Sequence, residues 1–138
     1  MKPIIMTKIA LDTNVILYSH SMETPDKRLI SEKLLQLYPI ISGQVISEYL
    51  NVMKRSFPIT KTDLMNLCAQ WMRKCIIFPV EISIIETARN LIQKYDFQIF
   101  DSIIVASALD AGCDVLYSED MHHNQLIEGK LKIINPFL

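Results

Sequence analysis

The chain has 138 residues, a size that suits one domain, and half of them are hydrophobic, enough for a single substantial core. A formal net charge of −1 excludes a global basic field, so any nucleic-acid binding must rest on a local patch or on metal bridging to phosphate. Mean hydropathy is high at +0.22, yet no apolar stretch reaches the roughly 18 residues of a membrane span. The N-terminal stretch MKPIIMTKIALDTN is Ile-rich but interrupted by Lys8 and Asp12, and it does not read as a secretory signal. Cys68, Cys75 and Cys113 are odd in number and form no CxxC pair. They predict reduced, mostly buried thiols in a cytoplasmic protein rather than disulfides or a zinc site.

Ile4 to Leu11 predicts a first buried strand, followed by a short helix from Thr13 to Ser19. Thr24 is an N-cap with Pro25 at the first helical position. The helix it opens runs to Leu37, with Leu29, Ile30, Leu34 and Leu37 on one face. Tyr38 to Ser42 is a short buried strand. Gly43 to Arg55 is a helix with Val45, Tyr49, Val52 and Met53 along one side. Thr60 and Asp63 form a capping box for a helix to Lys74, with Asp in the usual Glu place. Ile76 to Val80 is a third strand. Ser83 with Glu86 is a full capping box for a helix to Tyr95. Phe100 to Ala111 is apolar nearly all round, so it is a central helix covered on several sides. Gly112 stands at its C′ position. Asp114 to Tyr117 and Lys132 to Asn135 are the last strands. Short apolar strands alternating with helices predict an α/β sandwich on a parallel sheet. No linker or repeat divides the chain, so residues 1–138 read as one domain.

Four carboxylates stand where apolar segments end or turn: Asp12, Glu48, Asp101 and Asp120. Asp12 directly follows the first strand, at the carboxyl end where open parallel sheets bind ligands. Its alternative role is an N-cap for the helix at Thr13. Asn14, two residues on, is a further polar group at that edge. Glu48 lies on the apolar side of its helix, where an isolated charge costs several kcal/mol unless a metal or cation offsets it. The alternative is a flank position whose carboxylate reaches water. Asp101 opens the most apolar helix, where the helix dipole favours an anion, and an N-cap role is equally open. Glu119 and Asp120 follow a strand end as adjacent acids pointing in different directions, and Asp120 is the favoured member. Ser118 can donate to an acid or to phosphate. Hard oxygen donors without cysteine suit Mg²⁺ or Mn²⁺, and such ions meet phosphate.

Lys54 and Arg55, at the end of the Glu48 helix, are candidate phosphate contacts, with Lys61, Arg73 and Lys74 on the next helix. His122 and His123 are candidate proton donors or nucleic-acid contacts, against the alternative of an exposed loop.

The stretches LDTNVILY at 11–18, SEYLNV at 47–52, FDSIIVASALDAGCDVL at 100–116 and YSED at 117–120 together resemble the PIN-domain ribonucleases. The small size is similar to that of the VapC toxins of toxin–antitoxin pairs. The resemblance implies a three-layer α/β sandwich with a mainly parallel sheet of about five strands. It implies Mg²⁺- or Mn²⁺-dependent endonucleolytic cleavage of RNA. Asp12 and Asp101 would be metal ligands, Glu48 a ligand or water-positioning acid, and Asp120 the fourth acid, with Glu119 its competitor. Asn14 and Ser118 match supporting polar positions. Asn124 stands where relatives with a similar loop often have Gly. The resemblance further implies a homodimer and a small antitoxin whose basic side chain enters the acidic pocket. A non-catalytic RNA- or protein-binding module on the same fold is the main rival. A phospho-acceptor receiver domain is a second, resting on fold analogy alone.

Overall fold

In a computed structural model of the protein, residues 7–138 are described. The first strand is β1 (Ile9–Leu11), and the part of its predicted span at residues 4–6 lies outside the described residues. There follow α1 (Thr13–Tyr18), α2 (Pro25–Leu35), β2 (Ile40–Ser42), α3 (Gly43–Ser56) and α4 (Lys61–Met72). The second half contains β3 (Ile76–Phe78), α5 (Ile82–Tyr95), α6 (Ile99–Asp110), β4 (Val115–Tyr117), β5 (Leu126–Ile127) and β6 (Leu131–Ile134). The six strands form one sheet in the order β3-β2-β1-β4-β6-β5, and only the β5–β6 pair is antiparallel.

That order puts the functional edge in the middle of the sheet. The chain leaves β1 toward β2 on one side and later returns to β4 on the other. The carboxyl ends of β1 and β4 therefore flank a switch point, the crevice where open α/β sheets bind ligands. Asp12 N–H donates to Tyr117 O at 2.9 Å and closes the two strand ends together. β1 and β2 are buried throughout, as strands covered on both faces must be. In α6 every residue from Ser102 to Ala108 is buried, so this helix is the central one its composition predicts. Ser107 Oγ donates to Ser42 Oγ at 3.0 Å. Ser42 in turn caps α3 by accepting from Gln44 N–H, so the helices carrying Asp101 and Glu48 share one buried polar joint.

Several local signals act as expected. Thr60 Oγ1 accepts from Asp63 N–H at 3.2 Å, and Gly112 takes a φ of +75° just past α6. Others are corrected. α2 buries Ser31 and Leu35, while Leu29 and Leu37 are more than half exposed. Of the four predicted residues, Leu34 packs against the core and Ile30 is half-buried, so the buried side of α2 runs through 31, 34 and 35 and leaves out only Leu29 and Leu37. Thr24 is the N-cap residue with Pro25 opening the helix, as predicted, but its hydroxyl donates to Ser21 instead of accepting from the first turn. Tyr38 does not begin a strand; it is exposed with φ 50°, and β2 starts at Ile40. Ser83 is not the cap of α5. The Glu81 carbonyl already accepts from Ile84 and Ile85, so the helix begins before the serine. The sixth strand is β5, too short to carry a pattern. Glu128 and Gly129, with φ of 53° and 65°, link it to β6 in a hairpin closed by Lys130 N–H to Ile127 O.

Candidate functional site: an acidic cleft at the switch point

Asp12, Glu48, Asp101 and Asp120 line one cleft of about 360 Å³, together with Thr13, Asn14, Leu17, Asn51, Val52 and Arg55. Four different segments supply the acids, so the sheet and the central helix bring them together. Asp12 is 5% exposed. Its Oδ1 accepts from Thr13 N–H at 2.7 Å, which makes it the N-cap of α1. Its Oδ2 accepts from Ser118 Oγ at 2.6 Å. Capping and lining the cleft are thus one placement, not alternatives. Burial is the main cause that raises its pKa to about 6; the bonds from Ser118 and Thr13 oppose it, and the charges of Asp101 and Glu48 add to it.

Glu48 lies on the α3 face that also carries Asn51, Val52 and Arg55 into the cleft. Its Oε2 accepts from the Thr13 hydroxyl at 2.6 Å. Asp101 is inside the first turn of α6, whose N-cap is Gln98, so the cap reading of Asp101 does not hold. Among the described residues its carboxylate accepts no hydrogen bond. Burial first, then the charges of Glu48 and Asp120, raise its pKa.

The adjacent acids after β4 point apart. Asp120 lines the cleft and accepts from Asn14 Nδ2 at 3.0 Å. Glu119 faces the other way and accepts from Tyr18 Oη and Lys27 Nζ, both at 2.6 Å. Burial alone would raise the Glu119 carboxyl, but these two bonds outweigh it and hold its pKa below the usual value. Asn14 Nδ2 also lies 3.5 Å from Asp12 Oδ2, so one amide spans two of the acids.

Of the predicted phosphate contacts, Arg55 lines the cleft, whereas Lys54, Lys61, Arg73 and Lys74 do not. His122 is exposed and His123 Nδ1 accepts from Asn135 N–H. Neither lines the cleft; both border a separate hollow beside Tyr95. Asn124 adopts φ 70°, the left-handed conformation that Asn tolerates best after Gly. The three cysteines are free, as expected. Thr13 and Asn51 were not singled out by sequence reasoning. The available signal for Thr13 was its place between two polar residues at a strand's carboxyl end.

The donor set is hard oxygen, which fits Mg²⁺ or Mn²⁺. Among the described residues none of the four carboxylates reaches a Lys, Arg or His in an ion pair. A buried carboxylate without a cation is costly, and either a proton, as the raised pKa of Asp12 allows, or a bound cation offsets that cost. No three described His, Cys, Asp or Glu side chains converge into a ready-made cage. Mg²⁺ does not require one, because one or two carboxylates with water and substrate phosphates commonly complete its shell. Among the described residues no helix is long and apolar enough to cross a membrane.

The PIN-domain family model matches residues 9–127. No curated protein sequence matches the chain. The fold is similar to a toxin–antitoxin complex from Klebsiella pneumoniae, with TM-score 0.67 and 19% identity over 94% of this chain and 98% of that one. It is similar to Mycobacterium tuberculosis VapC20, a toxin described as cleaving the sarcin–ricin loop, with TM-score 0.66 and 16% identity over 82% and 90%. It is similar again to DNA-bound VapBC from Salmonella typhimurium, with TM-score 0.63 and 15% identity over 93% and 98%. At these identities the structures speak to the fold, whereas the family match covers most of the sequence: the chain belongs to the PIN-domain family.

Proposed function

We propose that this protein is an Mg²⁺- or Mn²⁺-dependent endoribonuclease and the toxin of a toxin–antitoxin pair. The observation that carries the reading is the cleft at the switch point, lined by Asp12, Glu48, Asp101 and Asp120, none of which is ion-paired among the described residues. Asp12 and Asp101 would hold the ion, with Glu48 and Asp120 as further ligands or as acids that orient water. Bound there, the ion supplies positive charge that offsets the negative charge developing on a phosphodiester, and it makes water a better nucleophile. The chain's own groups do the rest. Ser118 and Thr13 fix the Asp12 oxygens, the Thr13 hydroxyl orients Glu48, and Asn14 spaces Asp120 from Asp12. Arg55, which lines the cleft, would contact an RNA phosphate.

The similarity to toxin–antitoxin structures supports an antitoxin partner, whose basic side chain would complement the same acids. A homodimer working in the cytoplasm, where free cysteines stay reduced, completes the reading. Cleavage of a panel of structured and single-stranded RNAs in Mg²⁺ and Mn²⁺, parent beside Asp12→Asn, tests it. Cleavage by the parent alone is expected. Equal cleavage by a folded Asp12→Asn protein overturns it. Tight RNA or antitoxin binding with no cleavage would instead favour a non-catalytic module.

A further inference from the structure

Glu119 is neighbour to Asp120 but is gripped from outside the cleft. Tyr18 Oη and Lys27 Nζ both donate to its carboxylate. Lys27 Nζ also lies 3.3 Å from Tyr18 Oη, 4.6 Å from the centre of the Tyr18 ring and 5.4 Å from that of Phe137. The Tyr18 and Phe137 rings meet edge to face at 5.0 Å. The end of α1 and the first turn of α2 thus converge on one side chain of the loop after β4, and Phe137 of the C-terminal tail packs against the two groups that hold it. The backbone beside that side chain leads back to the cleft. Glu119 N–H donates to Asn14 Oδ1 at 3.3 Å, and Asn14 Nδ2 donates to Asp120 Oδ2. Asp120 is exposed and, among the described residues, accepts no other hydrogen bond. Its place at the cleft therefore depends on how firmly its loop is held.

We propose that Lys27 and Tyr18 are positioning residues that grip Glu119 and thereby hold Asp120 at the cleft. The proposal rests on the nuclease reading for its catalytic consequence, but the clamp itself is a statement about the loop. It gives the two adjacent acids separate work: Glu119 fastens the loop outward while Asp120 faces the ion and the substrate. The grip is a charge-assisted pair with an aromatic lid, so it holds orientation more firmly than one neutral hydrogen bond. Groups that orient a ligand from behind typically cost tenfold to a hundredfold in metal affinity or activity when removed.

The test uses the full chain with Lys27→Met, Tyr18→Phe, Glu119→Gln, Glu119→Lys and the charge swap Lys27→Glu with Glu119→Lys. Thermal melts establish that each is folded. Three readouts follow: RNA turnover split into kcat and KM, Mn²⁺ affinity by calorimetry, and amide hydrogen exchange at Glu119 and Met121. Lys27→Met and Glu119→Gln are expected to lower kcat and Mn²⁺ affinity by about tenfold or more, with little change in KM. Exchange at both amides is expected to quicken, and Tyr18→Phe to act in the same direction more weakly. The swap is expected to recover most of what Glu119→Lys loses. Parent-like exchange and parent-like kcat in the single variants would overturn the clamp. A swap as damaged as Glu119→Lys alone would overturn it too, and make Glu119 a direct ligand. If the parent neither cleaves RNA nor binds Mn²⁺, the nuclease reading fails while amide exchange still decides the clamp.

Discussion

The Thr13 hydroxyl donates to Glu48 Oε2 at 2.6 Å, joining residues 35 apart in the chain. One residue thus serves two acids, because its backbone N–H also donates to Asp12. Thr13 is buried, so neither bond has water as a ready substitute. Thr13→Val keeps the shape and removes only the hydroxyl. Stability is expected to fall by about 1 kcal/mol and RNA turnover by about tenfold. Thr13→Ser is expected to restore turnover. Denaturant melts and single-turnover cleavage check both, and parent-like turnover in Thr13→Val would remove the hydroxyl from the site.

Asp12 makes a prediction about pH. Its folded-state pKa is pushed up to about 6, from 3.8. Between those values the folded protein binds a proton that the unfolded chain has released, so stability must fall as pH rises through this window. The full difference is about 3 kcal/mol by the linkage relation. In EDTA, Asp12→Asn is expected to melt above the parent, with the gap widening from pH 4 to pH 7. Mn²⁺ is expected to raise the parent's melting temperature at pH 7 and leave the variant's unchanged. A gap that stays constant across this pH range would contradict the account.

Asp101 stands in the first turn of α6 without a hydrogen-bond partner among the described residues, so no structural bond is lost in Asp101→Asn. The variant is expected to melt within about 1 kcal/mol of the parent. It should lose more than about a hundredfold in metal-dependent cleavage, beyond what an outer partner costs. Wild-type cleavage in a folded Asp101→Asn protein would exclude it from the site.

Arg55 and Lys54 are adjacent in sequence but not equivalent in space, since only Arg55 lines the cleft. Arg55→Glu is expected to weaken RNA binding and flatten the dependence of log affinity on log salt by about 0.7, the share of one single-strand phosphate. Lys54→Glu is expected to have the smaller effect. Equal effects would mean that both contact RNA outside the cleft.

Asn124 adopts φ 70° in the loop after the acidic segment. Asn124→Ala is expected to cost about 1 kcal/mol, because Ala keeps the Cβ that crowds the carbonyl there but lacks the short polar side chain that makes the conformation tolerable for Asn. Asn124→Gly is expected to be tolerated. Equal stability of the two variants, measured by denaturant melts, would show that the loop relaxes out of this conformation.

The sequence alone determined the elements whose causes are local. Buried strands, the Thr60 cap, the Gly112 terminus and the central helix follow from neighbours within a few residues. It also determined which four acids to suspect, because each breaks an apolar pattern at a strand end or on a helix face. Tertiary structure decided what those patterns share out among distant partners. Which leucines of the α2 segment are covered was set by the surrounding fold: Leu34 and Leu35 pack against the core, whereas Leu29 and Leu37 stay exposed. Asp120 and Glu119 are chemically near-equivalent and adjacent in the chain. Only the positions of Asn14 on one side and of Tyr18 and Lys27 on the other turn the first into the cleft and the second away. The work of Thr13 was hidden for the same reason: its hydroxyl bonds to a helix folded back from 35 residues away. Periodicity and caps report short-range preferences, whereas side-chain direction at a loop is settled by donors that only the sheet order brings near.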